Sequence, residues 1–348
     1  MATVSNASQL FEGLFDRLLA VVRERLSVKL RYQHLPDLHK FNPDLQDSLS
    51  QFGFMLRTVY RYNLWSGLFD EALWYASLFT SRGLGPEAFS LLLESWIIAI
   101  HGLIQPPECN ELSQPLEELR GQIPQMFAQV AQRRQSPPEA EIEALVDLLM
   151  QADFPAGLHL LEAKIATGTP PGSLLTNLLL GAMQEIGRRW EADSLAIFQE
   201  HLATETMQRL LAALYFLAQP PVKLPYAALV TCVPGEEHQF LVAALSIYLE
   251  LQGWRTFPLG RSLPTAELVQ AVEVLKPQVC FLSLTMLARV PEALEVVGAL
   301  RDRQPGWPII VGGRGATLAS SLFESEEVSV LQDFAEANIL ALAKVSHA

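Results

Sequence analysis

Three residues that suit the binding of a transition metal stand together at Glu236, Glu237 and His238. They follow the apolar run Ala227–Val230, so they should lie on a loop or first helical turn at the end of a strand. A neutral imidazole is a common ligand for transition metals, and its second ring nitrogen needs an oxygen that fixes the ring. Glu236, two residues before His238, could supply that oxygen. On their own these residues more often mark a solvated helix start, because one histidine does not make a metal site.

Two more groups of residues stand at the ends of later apolar runs. Ser283 and Thr285 form one group, and Gly312 and Gly313 follow the run Ile309–Val311. The carboxyl ends of parallel strands meet at one edge of a sheet, where ligands bind. The Ser283 hydroxyl could face a buried heterocycle there, and the absence of side chains at the two glycines could let a bulky ligand approach the backbone.

The three groups together resemble the motif of cobalamin-binding domains: Asp-x-His-x-x-Gly, about 41 residues, Ser-x-Leu or Ser-x-Thr, and then Gly-Gly after about 26 to 28 residues. The resemblance implies that His238 is the lower axial ligand of cobalt, in place of the cofactor's own benzimidazole. Two positions depart from the motif: Glu236 replaces Asp, and Leu241 replaces Gly and keeps the first helix farther from the corrin. The cofactor site implied by the resemblance consists of Glu236, His238, Ser283, Thr285, Gly312 and Gly313.

A second motif begins at Trp190, which is followed by nine residues and then by Glu200 and His201. It resembles the Trp-x9-Glu-His motif of light-sensing cobalamin domains, and Gly187 also fits. The resemblance implies that Trp190 packs against an upper axial adenosyl group, whose position Glu200 and His201 fix. A purine face suits stacking, and ribose hydroxyls suit a carboxylate. Glu191 stands where the DNA-binding members carry a histidine that captures cobalt after light, so that photoproduct is not expected here.

The C-terminal segment, 223–348, alternates short apolar runs with helical stretches such as Glu267–Leu275 and Pro291–Arg301. This alternation predicts a flavodoxin-like, doubly wound parallel sheet. The predicted strands contain the runs Ala227–Val230, Trp254–Phe257, Val279–Leu282, Ile309–Val311 and Val328–Leu331.

The rest of the chain is predicted to be helical, so that the protein combines all-α and α/β domains. A Pro-rich stretch at 135–138 separates a helical N-terminal domain, 1–136, from a four-helix bundle, 139–218, and a second stretch at 219–221 separates the bundle from the C-terminal segment. The resemblance implies that the bundle caps the upper face of the cofactor. In the bundle Asp153 should cap one helix, Leu174–Glu191 should form a long one, and Asp193 or Ser194 should cap the last.

The N-terminal domain combines aromatic residues with Arg57 and Arg61, one helical turn apart. The two guanidinium groups could hold the carboxylates of a flat conjugated ligand such as biliverdin, between aromatic rings. The domain plan resembles that of photocobilins, the cobalamin photoreceptors that also bind a bilin. Cys109 could tether a bilin, but a spare surface cysteine is the simpler interpretation. The alternative for the whole domain is helical dimerisation around an aromatic core. The aromatic residues are Tyr60, Tyr62, Trp65, Phe69, Trp74 and Tyr75.

Charge and composition limit the classes of partner that the protein is expected to bind. The net charge is −13, with 25 Lys and Arg against 38 Asp and Glu, and no clustered basic footprint predicts direct DNA binding. No apolar run is long enough to span a membrane, and no signal peptide precedes the first helix. Three scattered cysteines are too few for a disulfide framework. We expect a cytoplasmic protein.

These features predict a light-sensing photoreceptor, not an enzyme, that uses adenosylcobalamin and has biliverdin as a second candidate chromophore. Photolysis would shift the bundle and change self-association with further copies, and an unknown downstream protein would receive the signal. The alternative is a corrinoid methyl carrier of a methyltransferase system, which shares the lower motif. The Trp190, Glu200 and His201 lid argues against that alternative, because a methyl carrier needs an open upper face.

Overall fold

The computed structural model describes residues 5–32, 43–133, 138–192, 194–218 and 223–346. Within those ranges the chain forms two compact units. The first comprises residues up to 137 and the short segment 191–194, and the second comprises 138–190 and the residues from 195 onward. The Pro-rich stretches at 135–138 and 219–221 lie outside the described residues, except for Pro138.

The described residues of the first unit form seven α-helices and no strand, as the sequence predicts. Gly83, with φ +70°, ends one helix, and Gly85 is the N-cap of the next helix, which begins at Pro86. None of the helices in the described residues of the chain combines the length and apolar character that a membrane crossing requires. The helices of this unit are α1 (Asn6–Gly13), α2 (Phe15–Tyr32), α3 (Pro43–Tyr62), α4 (Trp65–Ser81), α5 (Pro86–Leu103), α6 (Glu108–Gly121) and α7 (Ile123–Arg133).

Aromatic side chains fill the core of the first unit. Tyr60 and Tyr75 are buried, and the Tyr60 hydroxyl donates to the carbonyl of Leu112 at 2.7 Å. Cys109 is also buried, in the first turn of α6, so its expected position on a surface loop is wrong. These two rings of the aromatic cluster therefore serve packing, because buried rings contribute large apolar areas to a core.

Four helical segments form the first part of the second unit. Asp153 caps α9 as predicted, because its carboxylate accepts from the N–H of Ala156 at 3.0 Å. The predicted long helix over Leu174–Glu191 is a π-helix followed by an α-helix. The last helix begins at Ile197, later than expected. The backbone N–H of Ala196 donates to the side chain of Gln199 in that helix. Asp193 lies outside the described residues. The elements are α8 (Ala140–Met150), α9 (Phe154–Ala166), α10 (Pro171–Ser173), the π-helix (Leu174–Leu179), α11 (Leu180–Glu191) and α12 (Ile197–Leu217).

Five parallel strands follow, in the order β2-β1-β3-β4-β5, which is the predicted flavodoxin-like order. At the carboxyl edge, Cys232 on β1 pairs with Ser283 on β3, and Ser283 pairs with Gly312 on β4. The register therefore sets two of the predicted site residues, Ser283 and Gly312, side by side. The strands are β1 (Ala227–Cys232), β2 (Arg255–Gly260), β3 (Val279–Ser283), β4 (Ile309–Gly312) and β5 (Ser329–Leu331).

The bundle and the sheet share one hydrophobic core. It joins Met207 and Leu210 of α12 to Val230 of β1 and Phe281 of β3 through the helix that follows β1. Right-handed crossovers from β1 in both directions place helices on both faces of the sheet. The helices are α13 (Gln239–Leu251), α14 (Thr265–Leu275), α15 (Val290–Arg303), α16 (Arg314–Leu318), α17 (Ser320–Ser325) and α18 (Ala337–Val345).

A buried carboxylate fixes the last turn of α11. Glu185 accepts hydrogen bonds from Arg188 at 2.6 Å and from Arg189 at 2.8 Å, and Arg189 also binds Glu143 on α8. Burial would raise the pKa of Glu185, but the hydrogen bonds and charges of the two arginines outweigh burial and hold this pKa below its usual value. The network therefore ties the end of α11, next to Trp190, to a neighbouring helix.

We expect Glu185→Gln to destabilise the protein by about 1–3 kcal/mol at pH 7, because two arginines lose their buried partner. The pKa of Glu185 is lowered in the folded state, so its contribution is present above the unfolded value of about 4.3 and is lost as the pH falls through the folded value. Urea unfolding followed by circular dichroism should therefore show a difference from wild type that narrows below about pH 4.

Glu141→Gln is the matched control, because Glu141 pairs with Lys164 on the exposed surface of the same bundle. Its effect should stay below about 1 kcal/mol. Equal losses in the two variants would contradict the assigned role of Glu185.

Candidate functional site

His238 lies at the carboxyl edge of the sheet, as predicted. After β1 ends at Cys232, the N–H of Val233 still donates to the carbonyl of Ser283 at 3.1 Å. Gly235 then turns the chain with φ +75°, a conformation that favours glycine, and α13 starts directly after His238. The His238 side chain is 52% exposed, so it is open to a ligand.

The Glu236 carboxylate holds His238 and a second loop at the same time. One oxygen, Oε1, is hydrogen-bonded to Nδ1 of His238, which is the contact that the sequence predicts. The other oxygen, Oε2, accepts from the backbone N–H groups of Thr285 and Met286, each at 2.9 Å. Glu236 is only 1% exposed. Since Nδ1 is bound by Glu236, Nε2 is the nitrogen that remains for a metal.

The electrostatics of this pair favour the charged carboxylate. Burial would raise the pKa of Glu236, but the hydrogen bond and charge of His238 and the two backbone N–H groups lower it overall. The hydrogen bond to Glu236 raises the pKa of His238, and the charge of Glu200 adds to this effect. Burial and the nearby glutamates raise the pKa of the Cys232 thiol to about 12.

Two hydroxyl groups at the same edge have no partner. The Ser283 Oγ and Thr285 Oγ1 atoms are buried and make no hydrogen bond. A buried hydroxyl without a partner is unfavourable, and such groups are normally satisfied by protein, water or ligand. These two atoms therefore fit a polar ligand that enters beside β3.

The absence of side chains at Gly312 and Gly313 has a structural reason that the sequence does not reveal. A Cβ at Gly313 would stand 2.5 Å from the carbonyl oxygen of Leu284, and its φ is +111°. A Cβ at Gly312 would stand 3.3 Å from Cβ of Leu331. Their packing partners are therefore the loop after β3 and strand β5. A direct contact with a cofactor stays a prediction.

The residues of the second motif lie on α11 and α12. Trp190 is half-buried at the end of α11 and packs against the core that the bundle shares with the sheet. The Glu200 carboxylate accepts from the Thr204 hydroxyl at 2.8 Å. His201 is 72% exposed, and its Nε2 is 3.7 Å from the Glu200 carboxylate. A Cβ at Gly187, one turn before Trp190, would meet open space.

Leu241, the departure from the cobalamin motif, lies in the first turn of α13. Its side chain is partly buried against the core that joins the bundle and the sheet. The larger residue therefore has a packing role in this chain.

The structure does not bring Arg57 and Arg61 to a common partner. The Arg57 guanidinium is 3.6 Å from the Glu12 carboxylate, and it lies 4.9 Å from the centre of the Phe15 ring. Arg61 lies 5.4 Å from the centre of the Tyr62 ring. The fork for two carboxylates that the sequence suggests is not formed in this arrangement, and bilin binding stays a prediction.

The backbone N–H groups of Thr285 and Met286 belong to the site, but no residue type or spacing in the sequence predicts them. The one indication was Glu236 itself, whose extra methylene gives a carboxylate more reach than Asp. In the described part of the chain, no group of three or more His, Cys, Asp or Glu residues is arranged to hold a free metal ion.

Two stretches of the chain match models of known domains. Residues 141–215 match one model of a B12 binding domain, and residues 226–340 match another with the same description. The bundle and the sheet are therefore B12-binding domains, and they indicate cobalamin as the cofactor.

Known proteins resemble the chain over part of its length. It is 30% identical over 199 residues to the HTH-type transcriptional repressor CarH of Myxococcus xanthus, covering 56% of this chain and 65% of that protein. It is 36% identical over 140 residues to the repressor CarA of the same organism, covering 40% and 46%. The chain thus spans less than two thirds of either relative. It is also similar to the solved structure of the monomethylamine corrinoid protein of Methanosarcina barkeri, with a TM-score of 0.48 and 18% identity over 57% of this chain and 96% of that one.

We expect Glu236→Asp to loosen the site, because the shorter arm cannot bind both His238 and the two N–H groups after β3. Without cobalamin, the variant should lose about 1–3 kcal/mol of stability, since a buried polar group loses its partner. Amide hydrogen exchange measured by mass spectrometry should speed up at Thr285 and Met286.

Glu237→Asp is the control, because Glu237 is an exposed neighbour that pairs only with Arg261. Its stability should stay within about 0.5 kcal/mol of wild type. Unchanged exchange at Thr285 in Glu236→Asp would refute the double role of Glu236.

Proposed function

We propose that this protein is a light sensor that uses adenosylcobalamin, and that it is not an enzyme. The observation that carries the proposal is the packing of α12, which bears Glu200 and His201, against α13, which begins directly after His238. The charge of Glu200 also acts on the His238 imidazole. This proximity supports an assignment of both motifs to one cleft of the second unit.

On the lower side, Glu236 and His238 act together. Glu236 fixes the imidazole through Nδ1 and leaves Nε2 for cobalt. His238 must give up its proton before it can bind a metal, so this contribution to affinity should fall at low pH. The unpaired hydroxyls of Ser283 and Thr285 would receive polar atoms of the cofactor tail.

On the upper side, Trp190 offers an indole face for a purine, and Glu200 offers a carboxylate for ribose hydroxyls. When bound, adenosylcobalamin supplies a cobalt–carbon bond that light can break. Trp190 and Glu200 would then lose the group that they hold. Because they lie on α11 and α12, these helices could shift against the sheet and change the surface that is offered for self-association.

The partners that we propose are further copies of this chain and an unidentified signalling protein. The similarity to the repressors CarH and CarA leaves their remaining length unmatched. The net charge of −13 does not favour contact with phosphate backbones, which are bound by clustered Lys and Arg. Direct DNA binding is therefore not part of the proposal.

The test of the light-sensing function is the visible spectrum of protein loaded with adenosylcobalamin, before and after green light. We expect His238→Ala to weaken cobalamin binding at least about tenfold and to change the spectrum of the bound cofactor. We expect Trp190→Ala to retain binding but to lose about tenfold in its preference for adenosylcobalamin over methylcobalamin, because stacking on the purine is lost.

Two outcomes would contradict this proposal. A His238→Ala variant with the affinity and spectrum of wild type would remove the lower ligand. Equal binding of methylcobalamin and adenosylcobalamin by the wild type would remove the upper lid.

The second candidate is a corrinoid methyl carrier, and the 72% exposure of His201 favours it, because a carrier needs an open upper face. The two functions separate in the same experiment. A carrier should bind methylcobalamin as well as the adenosyl form, and it should pass the methyl group to a partner enzyme.

Biliverdin in the first unit is a further proposal. Its propionates would need Arg57 and Arg61, and they would have to compete with Glu12 for Arg57. The double change of Arg57 and Arg61 to Ala should then lower biliverdin affinity about tenfold or more, because each charge-assisted bond is worth about 1.5–3 kcal/mol. Titration followed by red absorbance measures this effect, and cobalamin binding should not change. A wild type that forms no red-absorbing complex would eliminate the bilin.

A further inference from the structure

The helix α12 carries an exposed stripe on the side opposite its buried face. Met207 points into the core, and Phe198 and Phe216 are 71% and 79% exposed. At 100° per residue, six residues lie within about 40° of the direction opposite Met207. We call these residues the outer stripe: Phe198, Leu202, Glu205, Arg209, Ala212 and Phe216. Single exposed apolar residues are common, but two phenylalanines and a leucine on one stripe indicate a contact surface.

The outer stripe is symmetric about Met207. Residues 198 and 216 are equally far from it, as are 202 and 212, and as are 205 and 209. A twofold axis perpendicular to α12, beside the outer stripe at the level of Met207, would therefore place Phe198 beside the partner's Phe216, Leu202 beside the partner's Ala212, and Glu205 beside the partner's Arg209. An interface between identical copies requires this kind of self-complementarity.

The two charges at the centre are available for such pairing. Glu205 and Arg209 are one turn apart on α12, where an ion pair within the helix is common. In the described part of the chain, however, neither forms an ion pair, and Arg209 lies 4.2 Å from the centre of the Phe154 ring. Both side chains are exposed. An antiparallel partner would give each charge its opposite, and symmetry would repeat the pair.

We propose that the outer stripe of α12 is the contact with a second copy of this chain, formed by antiparallel pairing of the two α12 helices. The coincidence of an apolar pair, a small pair and a charge pair on one axis favours a second copy over an unrelated protein. The same helix carries Glu200 and His201, so the contact would join two candidate cofactor sites. This dimer rests on the proposed function, because it would be the structural basis of the proposed self-association. It can nevertheless be measured without cobalamin and in the dark.

The experiment measures the dimer dissociation constant of the full chain by sedimentation velocity. Glu205→Arg and Arg209→Glu should each weaken the dimer about tenfold, because either change sets like charges opposite each other in both symmetric pairs. The double variant Glu205→Arg with Arg209→Glu should restore the dimer. An equimolar mixture of the two single variants should also dimerise, because every pair across that interface is again opposite in charge.

Two further variants distinguish the effect of charge on the dimer from the effect of apolar packing. Phe216→Ser should weaken the dimer without changing charge, and Glu141→Arg, on the exposed surface of α8, should leave it unchanged. A wild type that is monomeric at about 50 μM would overturn the proposal. Single variants that dimerise like wild type, or a double variant that does not recover, would overturn it as well. Loss of light response with an intact dimer would count against the sensor function only, since the dimer is measured in the apoprotein.

Discussion

The buried carboxylate of Glu236 is the interaction on which the site depends. It binds the ring of His238 with one oxygen and the backbone after β3 with the other. Burying a carboxylate is costly unless hydrogen bonds replace its hydration, and here the His238 ring and four backbone N–H groups do so. Because these groups belong to two loops, one side chain sets both the direction of the imidazole and the position of the segment that carries Thr285.

The upper half of the candidate site depends on the bundle. Glu185 and its two arginines hold the end of α11 beside Trp190, and the shared core holds α12 against α13. Three surfaces of α12 therefore differ: its inner face packs in the core, its first turns carry Glu200 and His201, and its outer stripe, which is exposed, is the proposed contact with a second copy. In the proposed function, a shift of α12 would therefore change the cofactor site and the outer surface together. The proposed sensor would need this coupling, because a signal must leave the site in which it arises.

The residues of the candidate site agree with the proposed cofactor. In the proposed function a corrin would bring most of the ligands of its cobalt, so the protein would supply one imidazole, a fixed tautomer and partners for the tail. The half-exposed His238, its bond to Glu236 and the unpaired hydroxyls of Ser283 and Thr285 correspond to these three needs. The two B12-binding domains agree with this arrangement.

The sequence by itself determined the five strands, the bundle and the order of the motif, because apolar runs, prolines and glycines act locally. It also predicted the bond between Glu236 and His238, which are two residues apart. Only the tertiary structure decided the contacts that join distant segments: the bond from Glu236 to the amides after β3, the packing of Gly313 on Leu284, the burial of Cys109 and the pairing of Arg57 with Glu12. The physical reason is that a backbone N–H is the same in almost every residue, and that the partner of a surface arginine is set by which helix packs beside it. Neither property is written in residue type or spacing.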